Sequence, residues 1–216
     1  MMQNRTIPNS ERRGWSAQLN RWLALGGVIG PVLFVLTFTI AGLLRPGYSP
    51  VTQAISDLGV GDNAWILNAS LVILGLLMVG LAISFYPTVR PEASAAFRLV
   101  CALLIAIVGV GYALAGIFPE TIPIHWLVGA PFVFLGAVLA FLLTGLLLRG
   151  DPAWRGWAVY SLIASLATVV LIAITFYTFS PSTPPTMRLG GLMERVVFIE
   201  ILAWYVAFGW RLFRRR

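Results

Sequence analysis

Lysine is absent from the 216-residue chain, cysteine and histidine occur once each, and only eight residues are acidic. Without lysine there is no retinal or pyridoxal Schiff base and no Walker lysine for nucleotide hydrolysis. One cysteine, Cys101, and one histidine, His125, exclude an intrachain disulfide, a cysteine or multi-histidine zinc site and an iron–sulfur cluster within one chain. No GxSxG or HExxH spacing occurs, so neither metal nor cofactor is expected. Charged residues make up 11% of the chain, against roughly a quarter in soluble domains.

What fills the chain is apolar: 59% of residues are hydrophobic and the mean hydropathy is +0.88. Six runs reach the roughly 20 residues that cross a bilayer core: Trp22 to Leu44, Ala64 to Tyr86, Phe97 to Phe118, Pro123 to Leu148, Gly156 to Phe179 and Gly191 to Phe213. Helices are required, because open sheet edges in hydrocarbon leave backbone groups unpaired and these runs lack barrel alternation. The expected fold is all-α, a polytopic bundle of six transmembrane helices spanning 22–213, between an N-terminal segment, 1–21, and a basic tail, 214–216. The first run is too long for a signal-peptide core and no small-x-small cleavage site follows, which predicts an uncleaved span.

The +7 net charge comes from arginine alone. Alternate assignment of the connections puts Arg5, Arg12, Arg13, Arg21, Arg90, Arg98, Arg149, Arg155, Arg211, Arg214, Arg215 and Arg216 on one side. The other side has Arg45, Arg188 and Arg195. That bias predicts a multi-pass protein of the cell membrane with both termini cytoplasmic, surrounded by membrane lipids and not a nucleic-acid binder. Trp15, Trp22, Trp65, Trp126, Trp154, Trp157, Trp204 and Tyr48 fall mostly near span ends, as an interfacial belt would. Gly26 with Gly30, and Gly109, Gly111 and Gly116, suit close helix packing.

The longest outer connection, Arg45 to Asn63, opens with the turn pair Pro46 and Gly47. Ser49 can cap a helix starting at Pro50, Val51, Ala54, Ile55 and Leu58 recur at helical spacing, and Gly59 can close it. A short helix lying on the outer membrane face is expected.

Polar chemistry gathers in the same outer half. Asp57, Asp62, Glu120 and Glu194 lie at or near the outer rim, with Asn68, Ser70, Tyr112, His125, Thr175, Tyr177 and Arg195 close by; hydrocarbon drives such groups toward the bundle interior or a hydrated cavity. Glu194 points about 100° away from Arg195 on a helix, so Arg195 is expected to pair with Asp57, either as an orienting contact or in catalysis. His125 is an interfacial anchor or, with Glu120 or Glu194, a proton shuttle. Glu200, about two turns deeper, is expected as the most buried ionisable group, hydrogen-bonded to Asn68 or Tyr112.

The run Pro46-Gly47-Tyr48 followed by Ile55-Ser56-Asp57-Leu58-Gly59, then Asn68, Phe118-Pro119 with His125 soon after, and Gly191 with Glu194-Arg195, resembles the six-helix family catalogued as domain of unknown function 998. The resemblance implies a bacterial or archaeal membrane protein with Asp57, Asn68, His125, Glu194 and Arg195 in one site, and brings no reaction with it; the acidic residue it expects after Phe118-Pro119 is met loosely by Glu120. Three functions fit the residues. The first is an outward cavity for a lipid or small amphiphile, with Arg195 and His125 at its polar head and Asn68, Glu120, Tyr112 and Glu200 among the binding residues. The second is an intramembrane acid/base or hydrolytic enzyme on a lipid-like substrate, with Asp57 or Glu194 as base, His125 as acid and Arg195 stabilising negative charge. The third is a proton-linked transporter using Glu200.

Overall fold

The computed structural model describes residues 9–215, with side chains from residue 17 onward. Arg5 and Arg216 lie outside the described residues, as do the side chains of Arg12, Arg13 and Trp15. Six long helices account for the apolar runs: α1 (Asn9–Leu44), α2 (Ala64–Thr88), α3 (Ala95–Ile117), α4 (Ala130–Leu148), α5 (Arg155–Phe179) and α6 (Gly190–Arg214). All six are long and apolar enough to cross a membrane. The fourth run also includes a single π turn, His125–Gly129, ahead of α4. α1 starts well before Trp22, so part of the expected N-terminal segment is already helical.

Each helix packs chiefly against its neighbours in the chain, and α6 closes the ring against α1. Glycines set the closest approaches. A Cβ on Gly109 would stand 2.6 Å from Gly75 O, and one on Gly209 would stand 2.7 Å from Ala24 O, so α2 meets α3 and α6 meets α1 backbone to backbone there. Gly26 approaches Leu77 O and Gly116 approaches Asn68 O in the same way. With hydrocarbon outside, such close packing rather than water exclusion holds the bundle together.

The two ends differ. Arg90, Arg211 and Arg215 meet at one end, where they donate to backbone oxygens of Leu147, Ala153 and Thr88. Inside that end the rings of Phe141, Trp154, Trp204, Tyr205 and Phe208 stack in one continuous group with centroids 4.5 to 6.2 Å apart. Trp154 and Trp204 are fully buried, which corrects their assignment to an interfacial belt: Trp154 lies at a span end but faces inward, and Trp204 sits near the middle of α6. Trp22, Trp65 and Trp126 are more than half exposed near span ends, as a belt requires.

The opposite end carries the 45–63 loop. Its expected helix is reduced to a turn after Ser49 and a single 3-10 turn, Ser56–Gly59. Ser49 does act as a cap, accepting from Thr52 N at 3.4 Å, and Gln53 N donates to Ser49 O at 2.9 Å. The helix then stops, because side chains take the backbone groups that its next turn needs. Tyr48 Oη donates to Ala54 O, Asp57 Oδ2 accepts from Ala54 N, and Glu194 Oε2 accepts from Ile55 N. The loop tucks into the bundle instead of lying flat on it, and Ile55 and Leu58 are buried at 2% and 4% exposure.

Candidate functional site

The tucked loop is held on two sides. On the α6 side, Arg195 Nη1 donates to Gln53 O (3.1 Å) and Gly191 O (2.8 Å), its Nη2 donates to Tyr48 Oη, and Leu192 N donates to Val51 O (3.0 Å). Glu194, one residue earlier and facing inward, receives Ile55 N at 2.6 Å. On the α2 side, Asn68 Nδ2 donates to Gly59 O at 3.1 Å. Arg45 Nη1 reaches Val60 O (3.1 Å) and Asp57 O across the loop itself. Gly47 sits at φ 74°, the left-handed turn that a Pro-Gly pair allows.

The expected Asp57–Arg195 pair is not formed. Among the described residues the one ion pair is Arg90–Glu92, at the other end. Asp57 does not need Arg195, because its carboxylate reaches back to Ala54 N as a capping-box acid does at a helix start. Arg195 instead satisfies carbonyls and a phenol, and its guanidinium lies 5.5 Å from the centre of the Tyr48 ring.

Two hollows lie beneath the loop. A cleft of about 450 Å³ runs between the loop, the π turn and α4, α5 and α6. Asp57, Glu120 and Glu194 stand in it with Thr175, while Phe134, Ile172, Phe176 and Phe179 form its apolar wall. Glu120 lies beside the Ser56 hydroxyl and the Asp57 carboxyl, and Glu194 is within electrostatic reach of both acids. Burial, and then the adjacent Asp57, push the Glu120 carboxyl above the usual glutamate range, against the pull of Ser56 and Arg45.

The second hollow, a chamber of about 60 Å³, lies at the centre of the ring and is lined by His125, Tyr112, Ser56 and Glu194 among apolar side chains. Phe34, Tyr112 and Phe198 pack their rings around it at 5.8 to 6.4 Å. His125 Nδ1 stands 2.9 Å from Phe118 O; a carbonyl only accepts, so Nδ1 is the donor in that contact. The hydroxyl of Tyr112 is buried without a hydrogen-bond partner.

Of the expected residues, Asp57, Glu120 and Glu194 meet in the cleft, and His125, Tyr112 and Glu194 in the chamber. Arg195 and His125 line different hollows and do not converge on one head group. Glu200 is hydrogen-bonded to Thr168 Oγ1 at 2.7 Å, not to Asn68 or Tyr112, and Glu194 at 9% exposure is the more buried acid. Sequence reasoning missed Gln53, whose role comes from the loop's path, and placed Tyr48 in the belt although it sits in the Pro46-Gly47-Tyr48 run.

The family model described as "Protein of unknown function (DUF998)" matches residues 28–211. The chain belongs to that family. No curated protein and no solved structure matches it. The match covers nearly the whole ring and both halves of the loop clamp, so the short motifs of this DUF998 chain gain a physical account. Tyr48, Asn68, Gly191, Glu194 and Arg195 are the points at which the loop is fastened to the bundle.

Proposed function

We propose that the protein binds a lipid or small amphiphile in an outward-facing cavity, with the ligand's head in the acidic cleft and its apolar part along the aromatic wall. One observation carries this reading: Asp57, Glu120 and Glu194 share a cleft of about 450 Å³ with Phe134, Ile172, Phe176 and Phe179. That volume lies in the range of small-molecule sites, and the division into polar floor and apolar wall matches an amphiphile. Three carboxyls repel an anionic head. The head is therefore a cation or a hydrogen-bond donor such as an amine, for which Trp126 and the phenylalanines add cation–π attraction. An anionic head would suit Arg195 and His125, but Arg195 stands outside the cleft.

The test is native mass spectrometry of the detergent-purified protein with a long-chain primary alkylamine and a chain-matched alkyl phosphate. The amine is expected to bind in preference, and the double variant Asp57→Asn/Glu120→Gln to bind it about tenfold or more weakly, the loss of one charge-assisted contact. Equal binding of amine and phosphate, or an unaffected double variant, refutes the proposal.

A second reading, an acid/base or hydrolytic enzyme acting on a lipid-like substrate, is favoured by Asp57 and Glu120 standing in one cleft, where two carboxyls can divide the acid and base roles. Product release from an ester or amide amphiphile that ceases in either single variant would favour it over binding alone. Proton-linked transport has less support: Glu200 is tied to Thr168, and stacked rings fill the arginine-rich half.

A further inference from the structure

Arg195 lies about one turn inside α6, within a candidate span, and among the described residues no carboxylate stands within ion-pair distance of it. A guanidinium at that depth is costly unless neutralised, and arginines in spans ordinarily have a counter-charge. The groove beside it shows what can supply one. About 520 Å³ lies between the loop-end halves of α1 and α6, with Arg45, Arg195 and Tyr48 at its head and Val35, Thr39, Val196 and Ile199 along its sides. No carboxylate lines it among the described residues.

The groove exists because α1 and α6 touch closely only toward the other end. There Gly27 and Gly209 bring the backbones together, with a Gly27 Cβ only 3.0 Å from Tyr205 O. Above that level Phe34, Phe38 and Phe198 intervene and the helices part. Val196 and Ile199 are 37% and 49% exposed and Leu43 is 82% exposed, so the sides face lipid. From Leu43 down to Val35 is eight residues, or about 12 Å of helix, close to the roughly 15 Å that one leaflet contributes to the hydrocarbon core.

We propose that this groove is a binding site for an anionic phospholipid, its phosphate against Arg195 and Arg45 and one acyl chain along the α1–α6 seam. The donors suffice. Arg195 commits both Nη1 protons to Gln53 O and Gly191 O and one Nη2 proton to Tyr48 Oη, which leaves Nε and the second Nη2 proton. Arg45 spends Nη1 on the loop carbonyls and retains Nε and Nη2. Arginine is the side chain whose fixed fork of donors matches phosphate oxygens. The site is independent of the acidic cleft, which selects the opposite charge.

Val196→Trp separates binding from folding, and Arg195→Lys, which also gives up loop-clamp contacts, probes the fork. Val196→Trp fills the groove and leaves the loop contacts intact; Arg195→Lys keeps the charge but loses the fork. Native mass spectrometry in detergent with phosphatidylglycerol, phosphatidylcholine and diacylglycerol reads the result, with thermal unfolding as a control for integrity. Phosphatidylglycerol is expected to remain bound in preference to the other two, and Val196→Trp to weaken it about tenfold or more at unchanged melting temperature, with Arg195→Lys intermediate. Equal retention of the three lipids, or full retention by a folded Val196→Trp, overturns the proposal. Displacement of the lipid by millimolar glycerol phosphate would show that the occupant is a soluble anion and overturns the lipid assignment. Loss of alkylamine binding in the cleft variants leaves these outcomes untouched, so the two sites fail separately.

Discussion

Gly191→Ala tests the loop clamp most directly. A methyl group there would collide with the carbonyl oxygen of Gln53 and stand 2.8 Å from its amide nitrogen, both main-chain atoms of the loop. Two responses compete. Complete undocking would expose Ile55 and Leu58, each worth about 1.5–3 kcal/mol of burial. It would also forfeit the Ile55 N to Glu194, Leu192 N to Val51 and Arg195 to Gln53 hydrogen bonds at about 1 kcal/mol each, more for those to charged groups. A local shift that tolerates the methyl costs about 1–3 kcal/mol, the range for overpacking. Strain is the cheaper course, so the loop stays docked but less firmly. Hydrogen exchange read by mass spectrometry should then show protection of the Ile55 and Leu192 amides falling by about tenfold to a hundredfold, the equivalent of that strain. The stacked-ring end, distant from Gly191, should keep its protection. Unchanged exchange at Ile55 and Leu192 in a folded Gly191→Ala protein would refute the clamp.

Three further outcomes follow from the same geometry. Glu194→Ala should lower loop protection by about 1–3 kcal/mol because it strands the buried Ile55 N–H, whereas Glu194→Gln keeps an acceptor and most of the protection; exchange at Ile55 distinguishes them. Tyr112→Phe removes a buried hydroxyl with no partner, so thermal unfolding should show an unchanged or slightly higher midpoint, and a clear drop would mean that the hydroxyl is bonded within the chamber. Glu120 holds its proton more tightly folded than unfolded, so its contribution to stability is complete below the unfolded glutamate range of about 4.3 and is lost as pH rises through the higher folded value. Glu120→Gln should flatten that part of the melting-temperature profile, and an unchanged slope in the variant would exclude Glu120 as its source.

Hydropathy alone located the six helices to within a few residues at most ends, because a bilayer leaves the chain no alternative to satisfying its backbone internally. The gathering of acids toward one end was also legible, and Asp57, Glu120 and Glu194 do share a cleft. What periodicity could not reveal is competition for backbone groups. Val51, Ala54, Ile55 and Leu58 have helical spacing, yet Tyr48, Asp57 and Glu194 take the bonds that a helix would use. Two of those three capture their targets from within the loop, but Glu194 does so from 139 residues away. Partner choice failed for a related reason. Pairing Arg195 with an acid assumed that charge decides, whereas carbonyls and a phenol stand within its reach. Trp154 shows the limit of reading depth from sequence position, since span ends have an inside as well as an outside.

Because the ring closes only where α6 meets α1, the last of the six helices to be synthesised supplies both the final wall and one side of the loop's fastening. A nascent chain holding five helices has Asn68 to donate to Gly59 O but lacks Glu194 to accept from Ile55 N and Arg195 to donate to Gln53 O. The seating of the loop is thus a signal of completed assembly, and a chain truncated before α6 should present it, undocked, to any protease on that face.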